Sequence, residues 1–477
     1  MSSIHQKSKK ERQARKYICL DIVASLLAWF LFFLFRRIEI ESTFIQNIQL
    51  FSPIYNFWKL LFGVPVFWIF IFWLSGYYNT PFQKSRVVEF FQTLISVFGG
   101  SLLLFFILLI DDPVISYKYY YLSFVVLFSI YFVVVYTFRC VLTSITAYNI
   151  HNNKWGFNTL IIGSGEKAKK TWELLKNCKP ATGNHVIGFI TTEHTDNIID
   201  PDMILGDMDE LPRIIKEKGI EETIIAIDSE NRGDLFGIIN QLYLFNVGIS
   251  FPPHLYDFLV GGIRQSAIYA VPFVNILENK MPEWQQNVKR LFDILISAIG
   301  IILTSPLFLF LACKVKLSSP GKILFTQERI GLHGEPFRIL KFRTMYERQE
   351  SEQDHELTHA NDDRVTPIGK TMRKYRLDEL PQLFNVIKGE MSLVGPRPEQ
   401  KFYIKQILQK APHYALIHKV KPGITSWGMV KYGYADNVEK MIERLQYDIL
   451  YIENISLLID VKILIYTVKT IVSGKGV

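Results

Sequence analysis

The apolar positions of this 477-residue chain gather in four runs ahead of residue 145, over 17–35, 57–74, 88–110 and 121–141. Each approaches the ~20 residues that carry a helix across a ~30 Å hydrocarbon core, so four crossings are expected. Lys7, Lys9, Lys10, Arg12, Arg15 and Lys16 precede the first run without a small-residue cleavage site, which reads as a membrane helix and not a cleavable signal. That cluster of cations places the leader in the cytoplasm, and four crossings return the chain there. Lys84 and Arg86, between the second and third runs, agree, whereas Arg36 and Arg37 fall on the outer side.

The pattern changes near residue 150. Short apolar runs at 157–162, 186–190, 223–227 and 247–251 alternate with helix-like stretches, among them 208–218 and 234–245. This predicts βαβ units around a parallel sheet. A linker over 279–286 leads to a fifth apolar stretch, 291–317, with Ser305-Pro306 at its centre. Proline removes a helix hydrogen bond and forces a kink or break. Lys289 and Arg290 flank one end and Lys314, Lys316 and Lys322 the other, so a true crossing would carry one basic cluster outside. A re-entrant helix that breaks at Pro306 and returns to the same face satisfies both observations, with Ser305 a partner for the freed backbone. An ordinary fifth span is the alternative. Beyond it, 323–327 and 336–342 read as a hairpin around Gly331-Leu-His-Gly334, 345–363 as a polar loop, and 368–376 and 380–387 as helices. The stretch 455–472 suits a helix on the membrane surface or, equally, one buried in a core.

Composition sharpens this in two ways. The net charge of +8 has its basic residues near the predicted membrane boundaries and in the last third of the chain. An anionic lipid surface or a phosphorylated substrate accounts for that better than nucleic acid does. Cys19, Cys140, Cys178 and Cys313 form no CxxC pair, which argues against a disulfide framework or a zinc site.

Three patterns invite chemistry. His355-Glu-Leu-Thr-His359 matches the HExxH of zinc peptidases, but its flanks are polar on all sides, and a chance match in a solvated loop is the better reading. Gly163-Ser-Gly165 ends a predicted strand and opens a helix, the context of a dinucleotide-binding turn. Its acidic partner has only Glu193 as a candidate, and a ligand-free scaffold is favoured. The third pattern is a concentration of cations around one acidic pair. Lys341, Arg343, Arg364, Arg373, Arg376 and Arg397 surround Leu377-Asp378-Glu379-Leu-Pro381. Pro381 suits a first helical turn, which puts Asp378 near an N-cap and Glu379 just inside, where free N–H groups favour an anion. An ionised carboxylate there can attack phosphorus, with Mg²⁺ and arginines offsetting its repulsion from a diphosphate. An ordinary capped helix with surface ion pairs accounts equally well for these residues alone.

At these residues the chain resembles the polyprenyl-phosphate glycosyl-1-phosphate transferases that initiate capsule, exopolysaccharide and O-antigen assembly. The similarity is carried by Lys289-Arg290-Leu-Phe-Asp293, Ser305-Pro306, Gln327-Glu-Arg329-Ile-Gly331, Lys341-Phe-Arg-Thr-Met345, Leu377-Asp-Glu-Leu-Pro-Gln-Leu383, Met391-Ser-Leu-Val-Gly-Pro-Arg-Pro398 and Lys421-Pro-Gly-Ile-Thr425, across about 289–477. Where many relatives read Gly-Trp-Ala-Gln, this chain has Ser426-Trp427-Gly428-Met429.

The resemblance implies that Asp378 attacks the sugar-bearing phosphate, that Glu379 and Asp378 hold Mg²⁺, that Arg373 and Arg397 bind phosphate, and that a helix re-enters at Ser305-Pro306. It implies a UDP-hexose donor, glucose or galactose favoured, an undecaprenyl phosphate acceptor, and residence in the bacterial inner membrane with the reactive domain on the cytoplasmic face. A homodimer is expected. The expected architecture is a four-span membrane helical bundle (1–148), a cytoplasmic Rossmann-like α/β domain (149–278), and an α/β catalytic domain on a re-entrant helix (279–477). A membrane-anchored nucleotide-sugar dehydratase or epimerase and a non-enzymatic scaffold are the rivals.

Overall fold

The computed structural model describes residues 2–41, 52–82, 84–109, 117–192, 198–228, 232–243, 245, 247–252, 274–275, 281–346, 362–433 and 435–473. His355–His359 and Glu193 lie outside them. The chain divides into two compact units. One comprises residues 1–191, 197–226 and 252–274; the other comprises 192–196, 227–251 and 275–477.

The first unit opens with four helices: α1 (Ser2–Phe35), α2 (Ser52–Leu74), α3 (Arg86–Leu104) and α4 (Tyr117–His151). Among the described residues the helices long and apolar enough to cross a membrane are Lys9–Phe35, Arg86–Ile107, Tyr117–His151 and, from the second unit, Glu283–Ser318; Phe62–Leu74 is a shorter apolar helix. Three expected crossings therefore stand at full length, and the second is present as α2. Lipid tails give no hydrophobic drive between helices, so close packing and polar contacts hold such a bundle. Trp68 stacks on Tyr131 at 4.5 Å over Gly100, where a Cβ would sit 2.5 Å from the indole. Arg139 of α4 clasps Asp21 of α1 through two bonds, 2.9 and 2.7 Å, and reaches Thr93 of α3 at 3.1 Å, all buried.

Alternation then gives a parallel sheet: β1 (Phe157–Ile162), β2 (Asn184–Thr191), β3 (Ile204–Asp207) and β4 (Glu222–Ile225), paired in the order β3-β2-β1-β4. The interspersed helices are α5 (Glu166–Asn177) and α6 (Leu211–Glu217). β3 is too short and too rich in glycine and aspartate to stand out by pattern. Helix α7 (Arg232–Tyr243) and strand β5 (Gly248–Phe251) fall in the second unit, and the short strand β6 (Val274–Asn275) lies at the boundary between the units.

In the second unit, α8 (Glu283–Ser318) runs unbroken through Pro306, so the expected break is absent at the level of secondary structure. The missing N–H of Pro306 leaves the Ile302 carbonyl without its usual donor, and Ser305 Oγ donates to that carbonyl at 2.8 Å. The middle of α8 is bare, with Ile302, Leu303 and Leu309 each at least 70% exposed, while both ends are fastened to one body. Near its start Lys289 pairs with Asp460 at 2.6 Å, and Arg290 donates to the carbonyls of Val386 and Ile387. Near its end Leu311 and Val315 pack with Phe342 and Met372.

The hairpin β7 (Leu324–Ile330) and β8 (Pro336–Phe342) closes around Gly331 as expected. Helices α9 (Pro367–Lys374) and α10 (Gln382–Lys388) follow, then β9 (Ser392–Val394), α11 (Lys401–Lys410) and β10 (Gly423–Thr425), with β9 and β10 parallel. The chain ends in α12 (Trp427–Lys431), α13 (Val438–Glu453) and α14 (Leu457–Val472). Helix α14 has the buried side of a core helix, with Ile463 and Asp460, and an exposed apolar stripe of Leu458, Val461, Ile465 and Val468.

Candidate active site

Asp378 and Glu379 stand on a 3₁₀ turn, Leu377–Glu379, both 8% exposed. The N-cap expectation is corrected here. The turn precedes α10, whose own cap position is Pro381, and the turn's cap is Arg376 in the left-handed conformation, φ 54°. Proline has no N–H, so the regular helix starts only after it. A non-glycine residue held at positive φ costs about 1–3 kcal/mol and persists where its surroundings over-determine it. Here Arg376 aims its guanidinium at the turn's own second acid.

Glu379 is ringed by cations. Lys341 Nζ from β8 lies 2.9 Å from Oε1, Arg397 Nη1 from the loop after β9 3.6 Å from Oε1, and Arg376 Nη1 3.4 Å from Oε2. Burial would push this carboxyl up, but Lys341, Arg397 and Arg376 together hold it well below the usual carboxylate range. Asp378 is the reverse. Among the described residues no side chain is hydrogen-bonded to it, and burial, opposed by Lys341 and reinforced by Glu379, raises it. Asn385 sets the register of this arrangement. Its amide donates to Arg338 O at 2.8 Å and accepts from Leu340 N at 3.0 Å, which ties α10 to β8 one residue from Lys341.

The remaining expected residues divide. Arg373 acts electrostatically on Asp378 while its Nε donates to Thr344 Oγ1 at 2.9 Å. Arg364 chelates Asp362 at 2.6–3.0 Å, two residues away in sequence. Arg343, just past the end of β8, donates to Pro320 O at 2.6 Å and Ser319 O at 2.7 Å and so caps the C-terminus of α8. Strand alternation would put residues 341 and 343 on one face, so these bonds at the end of α8 are what separate their roles. Sequence reasoning passed over Glu399, Arg329 and Arg444, which form a buried ion-pair chain beside Arg397. Their signal was present: Arg329 lies inside a quoted motif, and Glu399 follows Gly395-Pro-Arg-Pro398 directly.

Magnesium takes one or two carboxylates and completes its shell with water and substrate phosphate. Asp378 offers such a carboxylate, and Glu379 can contribute one oxygen by loosening Lys341. No group of three or more metal-binding side chains exists among the described residues.

Residues 284–474 match the family described as bacterial sugar transferase, and residues 74–253 the one described as CoA-binding domain. Relatives include a UDP-N-acetylgalactosamine-undecaprenyl-phosphate N-acetylgalactosaminephosphotransferase of Aeromonas hydrophila, 41% identical over 47% of this chain and 49% of the relative. A UDP-glucose:undecaprenyl-phosphate glucose-1-phosphate transferase of Escherichia coli is 35% identical over 55% of this chain and 57% of its own. The chain thus spans about half the length of these relatives. An uncharacterized sugar transferase of Haemophilus influenzae is 30% identical over 67% of this chain and 70% of the relative. With α8 through α14 matched almost end to end and one relative covered over most of its length, the chain belongs to the polyprenyl-phosphate glycosyl-1-phosphate transferase family.

Proposed function

We propose that the protein transfers a hexose-1-phosphate from a UDP-sugar to undecaprenyl phosphate, releasing UMP, as the first step of surface polysaccharide assembly. The observation that carries this is the pairing of a raised Asp378, without a side-chain hydrogen bond among the described residues, with a Glu379 held ionised by three cations. Asp378 attacks the phosphorus bearing the sugar, and the bond from that phosphorus to the UMP oxygen breaks. UMP leaves with the electron pair, and an aspartyl phosphosugar remains. A lipid phosphate oxygen then attacks the same phosphorus, and Asp378 departs as carboxylate. Lys341, Arg373, Arg376 and Arg397 hold the donor's phosphates, and Glu379 keeps Lys341, Arg376 and Arg397 gathered. Asp378 and Glu379 would hold magnesium, which would supply neutralisation of charge on the phosphate oxygens.

The same reading makes the sheet Rossmann-like, since β3-β2-β1-β4 is the strand order of a dinucleotide-binding half. It makes α8 re-entrant, because its ends share one body, its middle is apolar and bare, and basic residues flank both ends. The catalytic face is then cytoplasmic, on the inner membrane. Assembly is as a homodimer, which light scattering of the protein in detergent checks. Cysteines placed at Trp284 and Leu317 in a background without Cys19, Cys140, Cys178 and Cys313 should label from one side only, and labelling from opposite sides refutes the re-entrant path.

Incubation with labelled UDP-sugars and undecaprenyl phosphate should release UMP and form a lipid-linked diphosphosugar. Asp378→Asn should abolish both. Near wild-type turnover by that variant would remove the nucleophile assignment, and release of UDP would overturn the reaction class. The donor panel needs glucose, galactose and N-acetylgalactosamine, since the relatives divide between glucose and N-acetylgalactosamine.

A further inference from the structure

The loop that delivers Arg397 is fastened at the residues on either side of it. Gly395 N–H donates to Thr425 O at 3.0 Å, and Gly423 N–H donates to Pro396 O at 2.9 Å. Arg329 Nη1 donates to Pro398 O at 3.2 Å. Glu399 follows, 4% exposed, with both carboxylate oxygens occupied: Oε2 by Arg329 Nη1 at 3.1 Å and Oε1 by Arg444 Nη2 at 2.7 Å. Its backbone carbonyl accepts from Ile330 N at 3.1 Å.

A second path leads from Glu399 to the same arginine. Arg444 lies against Gly428, where a Cβ would meet its Cγ at 2.6 Å, and Gly428 N–H donates to Asp448 Oδ1 at 3.1 Å. The next residue, Met429, is buried with its Sδ 3.7 Å from Arg397 Nη1. Arg397 is therefore bracketed by its own loop and by α12, and both supports converge on one buried carboxylate. Burial would raise Glu399, but Arg444 and Arg329 hold it below its ordinary value, so it is an anion throughout the neutral range. Stability is a weak reason to bury such a chain, because replacing buried ion triads with apolar groups of similar volume is often neutral or favourable. An arginine that must meet a phosphate bidentately gains from being held in place beforehand.

We propose that Glu399, clamped between Arg329 and Arg444, is a positioning residue that fixes Arg397 at the acid pair for the donor's phosphates. The inference rests on the transferase reading given above. It makes Met429 the contact through which this chain's own variation after β10 reaches the site.

The test is a double-mutant cycle on the full-length protein in nanodiscs: wild type, Glu399→Gln, Arg397→Ala and the double variant, assayed by UMP release. Glu399→Gln should raise KM for the donor roughly tenfold or more, the scale of a misplaced binding group, with a smaller change in kcat. In the Arg397→Ala background the same substitution should change kcat/KM by less than about twofold. Equal losses in the two backgrounds would overturn the proposal, because a merely structural role is additive. If Glu399→Gln does not fold, Glu399→Asp is read instead. It keeps the charge, shortens the arm by one methylene and should show the same non-additivity. A folded Glu399→Asp protein with wild-type kinetics overturns the proposal too. An inactive wild type with every donor brings down the transferase reading and this inference together, whereas an active one with additive losses sinks only the inference.

Discussion

Replacing Lys341 by methionine removes the shortest contact on Glu379, 2.9 Å, while keeping most of the side chain's volume. Two unit charges at that separation attract by roughly 6 kcal/mol at an effective dielectric of ~20, and desolvation of both groups offsets most of it. Removing one partner of a fully buried pair costs about 3–5 kcal/mol. Here Arg376 and Arg397 remain at 3.4 and 3.6 Å, and Lys341 keeps 18% of its side chain in solvent. A loss of about 2 kcal/mol is therefore expected, or about 4–8 °C in the melting midpoint of a domain this size. The sharper readout is pH. Lys341 lowers both acids, so its loss raises both. Asp378 then stays protonated to higher pH, and the acid limb of kcat/KM, which reports the free enzyme's essential base, moves to higher pH. Glu379, depressed in the folded state, contributes stability that is present above its unfolded value and lost as pH falls through the folded one. In the variant the folded value lies closer to the unfolded one, so less stability is lost and the loss ends at higher pH. The assay is UMP release across pH 5 to 9 with a parallel melt. An acid limb and a midpoint both unmoved would refute the account of the pair.

Three further outcomes follow from the same geometry. Arg343→Met should lower the melting midpoint, by about 3 kcal/mol of lost charge-assisted bonds to carbonyls, and leave KM for the donor near wild type; a large KM effect with an unchanged melt would restore Arg343 to phosphate binding. His418 donates to Gly331 O at 3.1 Å, and burial holds it down to about 4, so stability is present above its unfolded value near 6.5 and lost as pH falls toward 4, by about 1.4 kcal/mol per unit; acid titration of His418→Gln should show that slope removed. Arg139→Leu should destabilise the membrane bundle by on the order of 3 kcal/mol, because it strands Asp21, and Asp21→Leu/Arg139→Leu should recover part of it in a detergent-unfolding assay.

Much of this was legible along the chain, and the exceptions have physical causes. Apolar runs of helix length give α1, α3 and α4 almost unaided. The sheet strands read clearly where they are apolar, and β3 was missed because Ile204-Leu-Gly-Asp207 carries no alternation. Pro306 was correctly seen as a problem and Ser305 as its remedy. Ser305 Oγ closes the orphaned carbonyl well enough that the helix persists, so a rule about proline overstates a break when a neighbour supplies the donor. The cations around the acidic pair were all visible, but not their division. Lys341 and Arg343, two apart, would share a face by strand alternation, and only the carbonyls at the end of α8, which Arg343 caps, separate their roles. Arg364 is held by Asp362, a local bond that spacing alone does not favour over a longer one. Glu399 was passed over although it directly follows Gly395-Pro-Arg-Pro398, because its partners lie 45 and 70 residues away.

The environments of Asp378 and Glu379 also bear on which acid does what. Adjacent carboxylates repel, and a site that pushes their affinities for protons apart assigns roles to them. Three cations keep Glu379 ionised and weakly basic, which suits a group that holds charge in place and never forms a bond. Asp378 has no side-chain hydrogen bond among the described residues and a raised proton affinity, so it is the more basic of the two, which suits the nucleophile proposed above. The family resemblance assigns the nucleophile to the same residue on unrelated grounds. Were the roles reversed, the cations would have to leave Glu379 before it could react, and Lys341, Arg376 and Arg397 would be holding the wrong acid.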